Sequence, residues 1–168
     1  MSEAPGPGAE THLPSLGPRG EGWFVLQILF MSVVLVAGLI AGANWSGAPR
    51  FAAGVAGAVL MLSGVALGFL GIRDLEGSLS PMPRPTEDAV LISDGIYRRL
   101  RHPIYAGLIL LAFGWSLLTA SLLALALSLA FAGLLDLKAR REEVWLRERF
   151  PGYAAYAART SRFVPGLY

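Results

Sequence analysis

The chain has 168 residues, of which 54% are hydrophobic and only 15% charged, against about 25% charge in an ordinary soluble domain. There are no cysteines and only two histidines, so disulfides, thiolate metal sites, a cysteine nucleophile and a histidine-rich metal site are all excluded. A net charge of +2, unevenly spread along an apolar chain, points to a bilayer and gives no reason to expect nucleic acid or a metal as partner.

Residues 1–22, rich in proline and glycine and without an apolar period, read as a disordered tail with no signal-peptide pattern. His12 lies in it and is expected to be solvated. The first span is expected at Trp23 to Ala43, 21 residues that cover the roughly 30 Å of a hydrocarbon core. Trp23 and Trp45 flank it as interfacial anchors would. A polar turn, residues 44–50, leads to a second span at Phe51 to Ile72. Gly38 with Gly42 and Gly64 with Gly68 have the small-xxx-small spacing that lets membrane helices approach closely.

From residue 73 to 103 the chain turns polar and irregular, with one short apolar run, Ala89 to Ile92. The 34 apolar residues Ile104 to Leu137 would overshoot the bilayer by about 20 Å as one straight helix, so a helical hairpin turning near 116–121 is expected. The stretch 138–168 is amphipathic and carries seven Lys/Arg against three Glu, while the 73–103 loop carries five Arg and the 44–50 turn only Arg50. The positive-inside rule then puts the loop and both termini in the cytoplasm. The fold class expected is an all-α membrane protein. It comprises two spans (23–72) and a core (73–168) in which a loop, a helical hairpin and an amphipathic C-terminal helix form a pocket.

Two polar clusters flank the hairpin. RRLRHPIYAG, residues 98–107, sets Arg98, Arg99, Arg101 and His102 against the start of an apolar helix. Arginines snorkelling at a helix end explain the positive charge, and Pro103 suits a first helical position, where its missing N–H costs nothing. They leave His102 and Tyr105 unexplained, beside the free N–H groups of a helix start. The second cluster, LKARREEVWLRERF (137–150), carries adjacent Glu142 and Glu143. Pairs such as Lys138 with Glu142 and Glu143 with Arg147 suit i,i+4 spacing, yet two carboxylates at the bilayer edge also suit a cationic ligand.

DGIYRRLRHPIYAG, REEVWLRERF, PGYAAY and RFVP occur in order over residues 89–165, and together they resemble the integral-membrane methyltransferases of the isoprenylcysteine carboxyl methyltransferase and phospholipid methyltransferase group. The resemblance implies S-adenosylmethionine (SAM) as methyl donor. It carries cofactor contacts onto Ala89, Val90, Leu91, Ile92, Tyr97, His102, Pro103, Ile104, Tyr105 and Glu142. On the acceptor side this chain has Lys138 where the family has an arginine, with Arg141 beside it. No general base is implied, because methyl transfer from a sulfonium depends mainly on alignment and exclusion of water. The acceptor implied is lipophilic, a membrane lipid or a small hydrophobic molecule, methylated at oxygen, nitrogen or sulfur. Two other readings are open: an NADPH-dependent membrane sterol reductase, whose RHP-x-Y-x-G stretch is shared, and a membrane module without activity.

Overall fold

A computed structural model describes residues 13–75, 84–85 and 89–166. His12 lies outside these, as does most of the proline-rich part of the loop. The elements are α1 (Glu21–Ile40), α2 (Gly47–Asp74), a short 3-10 turn (Gly95–Arg98), α3 (Pro103–Leu118), α4 (Leu122–Arg149) and α5 (Tyr153–Ala157). Among the described residues no strand forms beyond a single bridge between Leu100 and Ser161. This is the all-helical membrane architecture expected: α1, α2 and α4 are each long and apolar enough to span, and α3 is a shorter apolar helix.

The segment 13–20, assigned to the tail from its composition, folds back over the start of α1. Gly22 N donates to Leu16 O at 2.8 Å and the Trp23 indole to Pro14 O at 3.0 Å. Trp23 is therefore buried rather than standing at the lipid surface, because its only polar atom is satisfied from within the protein. The turn expected over 44–50 is displaced to 41–46, since Pro49 fits in the first turn of α2, where its missing N–H is no loss.

The apolar run 104–137 breaks where its length required. Thr119, Ala120 and Ser121 make the turn, with Ala120 at φ +51° and the Ser121 hydroxyl accepting from Ala124 N at 3.1 Å to cap α4. The two arms are unequal. α3, with 16 residues, rises only about 24 Å, whereas α4 runs unbroken for 28 residues. The amphipathic helix expected after Leu137 is thus the continuation of α4, and only the five-residue α5 follows it. The α1–α2 and α3–α4 turns lie at one end of the bundle, tied by Ala43 N to Thr119 O and Asn44 N to Ala120 O at 2.8 and 2.9 Å. The loop, the start of α3 and the end of α4 therefore share the opposite end, called here the loop end.

The tightest packing joins α2 to α3. Gly57, Gly64 and Gly71 are buried at seven-residue spacing on α2 and meet Gly114, Gly107 and the Pro103–Ile104 start of α3. A Cβ on Gly64 would lie 2.7 Å from the Gly107 carbonyl oxygen, and one on Gly107 would lie 2.7 Å from Gly64 O and 3.0 Å from Gly68 N. Backbone stands on both sides, so neither helix can yield by turning a side chain. Gly107→Ala is expected to part the helices and cost about 1–3 kcal/mol, read as a lower thermal midpoint in detergent. An unchanged midpoint would mean the helices pack more loosely than these distances imply. The opposite face of α2, with Phe51, Leu62 and Phe69 largely exposed, is left for lipid.

Candidate active site

Asp74, the last residue of α2, sets the loop end. Its Oδ2 accepts from Ile96 N at 2.8 Å. Gly95, at φ +56°, must be glycine there, since a Cβ would fall 2.0 Å from the same carboxylate oxygen. The turn that follows buries Tyr97, whose hydroxyl donates to Gly71 O at 3.2 Å while its own carbonyl accepts from the Tyr156 hydroxyl at 2.8 Å. The loop is thereby fastened to α2 on one side and to α5 on the other.

The chain then pairs with its own C-terminal segment. Arg101 N donates to Ser161 O at 2.8 Å, Ser161 N to Arg99 O at 3.0 Å and His102 N to Arg162 O at 3.2 Å. This places two arginines, 61 positions apart in sequence, against one carboxylate of α4. Glu143 Oε1 accepts from Arg101 Nε at 2.9 Å and Arg162 Nε at 3.0 Å, and lies 3.2 Å from His102 Nε2. Its Oε2 accepts from Arg162 at 3.0 Å, and Arg147 stands 3.8 Å away as the i,i+4 spacing suggested. Arg162 also donates to Asp136 Oδ1 at 3.0 Å. The Glu143 side chain is 2% exposed. Both its oxygens are committed, so it ties together α3, α4 and the C-terminal segment.

Glu142 has the opposite character. One oxygen, Oε2, accepts from the Tyr105 hydroxyl at 2.8 Å, with His102 Nδ1 at 3.8 Å. Its Oε1 holds no hydrogen bond among the described residues. The side chain is 23% exposed. Tyr105 is held on three sides. Its ring stacks on His102 with centroids 5.3 Å apart and planes 2° from parallel, its hydroxyl is on Glu142, and Lys138 Nζ stands 4.9 Å from its centroid. Lys138, 1% exposed, donates to Gln27 Oε1 of α1 at 2.6 Å rather than pairing with Glu142 as the helical spacing suggested. A buried ammonium takes the nearest desolvated acceptor, and that acceptor is on the neighbouring helix.

Two buried polar atoms have no partner among the described residues: the Tyr153 hydroxyl and Arg141 Nε. Tyr153 is 1% exposed and meets Tyr156 edge-on at 5.7 Å. Burial pushes its hydroxyl well above the usual tyrosine range, and the charges of Glu143 and Glu142 push it further. Tyr97 is raised in the same way by burial and then by Glu142, and Tyr156 is pushed up to about 12, mainly by burial. All three are therefore neutral hydroxyls at physiological pH. Arg141 lies over the Trp145 ring at 4.4 Å.

Of the residues singled out by sequence, Tyr97, His102, Tyr105, Lys138 and Glu142 share one neighbourhood at the loop end. Pro103 and Ile104 turn toward α2, within 3.1 and 2.7 Å of where a Gly71 Cβ would stand. Ala89, Val90, Leu91 and Ile92 form an irregular stretch ahead of the turn, with Val90 67% exposed. Sequence reasoning passed over Gln27 and Asp136, and it quoted Arg162 and Phe163 only within the RFVP motif, with no role; Phe163 lies 6.1 Å from the His102 ring. Gln27 and Asp136 carried a usable signal, each being a lone polar residue in an apolar run, where a membrane helix tolerates polarity only at a cost.

Residues 52–152 match a family model described as phospholipid methyltransferase. The span includes both clusters and the hairpin between them. Over 78 residues the chain is 40% identical to the cobalt-zinc-cadmium resistance protein CzcN of Cupriavidus metallidurans. That match covers 46% of this chain and 36% of that protein, so the chain spans about a third of the length of this curated relative. With three-fifths of its length on the family pattern, including the helix starts and carboxylates described above, the chain belongs to the phospholipid methyltransferase family.

Proposed function

We propose that the protein is a SAM-dependent integral-membrane methyltransferase whose donor binds at the loop end, against Glu142, and whose acceptor is lipophilic. The observation that carries this reading is the division of labour between adjacent carboxylates. Glu143 is consumed by two arginines and a histidine, whereas Glu142 keeps one oxygen without a partner next to stacked aromatic rings.

The residues present fit the donor. When bound, SAM supplies a methyl group on a cationic sulfur, together with an ammonium and a carboxylate. Glu142 offers a carboxylate for the cationic part, Tyr97 and Tyr105 offer rings beside it, and the partnerless Tyr153 hydroxyl is a donor awaiting an acceptor. The chain's own task is to orient and to exclude water. The His102–Tyr105 stack fixes the tyrosine ring, and the hydrogen bond from its hydroxyl fixes the carboxylate. The neighbouring tyrosines stay protonated and take no proton from an acceptor. Carriage of Lys138 and Arg141 on the acceptor side belongs to the same proposal. Lys138 would act from within the bundle through Tyr105, and Arg141 from beside Trp145. The loop end would face the cytoplasm, where SAM is made, in keeping with its arginines. Exposed apolar faces of α1 and α2 lie in the bilayer and let an acceptor arrive from lipid.

Methyl-labelled SAM, incubated with the purified protein and a bacterial lipid extract, is expected to pass label into the organic phase. Label confined to the aqueous phase, from protein shown to bind SAM, would overturn the lipophilic acceptor.

A further inference from the structure

The β-bridge between Leu100 and Ser161 builds a second feature at the loop end, on residues the transfer site does not use. The 3-10 turn and the segment after α5 border an open groove of about 590 Å³ lined by Arg98, Arg99, Arg101, Arg159, Thr160 and Ser161 among others, and among the described residues no carboxylate lines it. That volume lies within the range of small-ligand sites.

The groove's polar atoms divide cleanly. Arg101 is spent on Glu143 and on the carbonyls of Ala157 and Thr160. The Thr160 hydroxyl donates to Tyr156 O, and the Ser161 hydroxyl accepts from Gly166 N. Arg98, Arg99 and Arg159 are exposed, and their guanidinium groups make no hydrogen bond or ion pair among the described residues. Three guanidiniums without a carboxylate partner among the described residues, around a concave surface whose floor is already satisfied, suit an anion with several oxygens. Arginines that merely mark a cytoplasmic face need no such concavity.

The position selects the kind of anion. Arg98 and Arg99 stand five and four residues before Pro103, where α3 begins its apolar run. The groove therefore opens at the depth where that helix leaves the bilayer, the level of lipid phosphates. We infer that this groove binds the phosphate of an anionic membrane lipid headgroup, at a site separate from Glu142 and Tyr105. The inference does not depend on the methyltransferase reading.

The test is native mass spectrometry of the full chain in neutral detergent with added phosphatidylglycerol or phosphatidylcholine. Phosphatidylglycerol is expected to be retained at least about tenfold over phosphatidylcholine. The double variant Arg98→Gln/Arg159→Gln, at an unchanged thermal midpoint, is expected to lose the preference. Should that pair unfold, Arg99→Gln/Arg159→Gln serves in its place. Equal retention of the two lipids, or a preference that survives the variant, overturns the site. Displacement by inorganic phosphate at a concentration equal to the lipid's would make it a soluble-anion site and overturn the lipid assignment. Displacement by S-adenosylhomocysteine would merge it with the transfer site and overturn its separateness.

Discussion

Glu142→Ala is expected to weaken SAM binding by about 100-fold or more while leaving the fold intact. The loss follows from removing a carboxylate that is only 23% exposed and has an oxygen to spare beside Tyr105 and His102, since a charge-assisted contact in a partly desolvated site carries about 2–5 kcal/mol. The fold should tolerate it. Within the protein Glu142 makes one hydrogen bond, from Tyr105, and its loss costs about 1 kcal/mol. Glu142→Gln separates charge from shape. It keeps an oxygen for the Tyr105 hydroxyl and loses the attraction for a cation, so its affinity should fall nearly as far as the alanine's. Tyr105→Phe frees the carboxylate without removing it, and about tenfold is the expected loss. A Glu142→Gln protein that binds SAM at full affinity would show that this carboxylate's charge does not hold the donor.

Replacing the next residue should have the reverse signature. Glu143→Ala is expected to destabilise the protein by about 3–5 kcal/mol, because Arg101 and Arg162 lose the carboxylate that compensates them. Their side chains are only 11% and 13% exposed, so water cannot take over that role without opening the site. The thermal midpoint should fall by on the order of 10 °C, and the C-terminal segment carrying Ser161 and Arg162 should become the first place cut by a protease. Glu143→Gln, which keeps the oxygen acceptor, should lie between. A midpoint unchanged in the alanine variant would mean that the ion pairs contribute nothing net. Adjacent glutamates, identical in sequence terms, are thus expected to separate into one that costs affinity and one that costs stability.

The helices were legible because hydrocarbon is a demanding solvent. An apolar run must become a helix, and 34 such residues must fold back on themselves, so α1, α2 and the hairpin follow from composition and length. Which face each helix shows its neighbour was not legible in the same way. Glycines are frequent on α2, and the four-residue spacing of Gly64 and Gly68 concealed the seven-residue row of Gly57, Gly64 and Gly71 that meets α3. The end of α4 was legible only in part. Helical spacing put Arg147 near Glu143, but it could not show that Arg101 and Arg162 arrive from the loop and the C-terminus to take that carboxylate. Nor could it show that Lys138 turns inward to Gln27, because that contact joins residues 111 positions apart on α4 and α1. Glu142 was reached through the family resemblance. Its difference from Glu143 became physical only when the partners of each were counted.

The most direct measurement is calorimetric titration of the detergent-purified protein with SAM, with S-adenosylhomocysteine and with NADPH. Binding of SAM and its demethylated product, with no heat from NADPH, is the result the methyltransferase reading requires. Binding of NADPH alone, or of none of the three by protein shown to be folded, would contradict it.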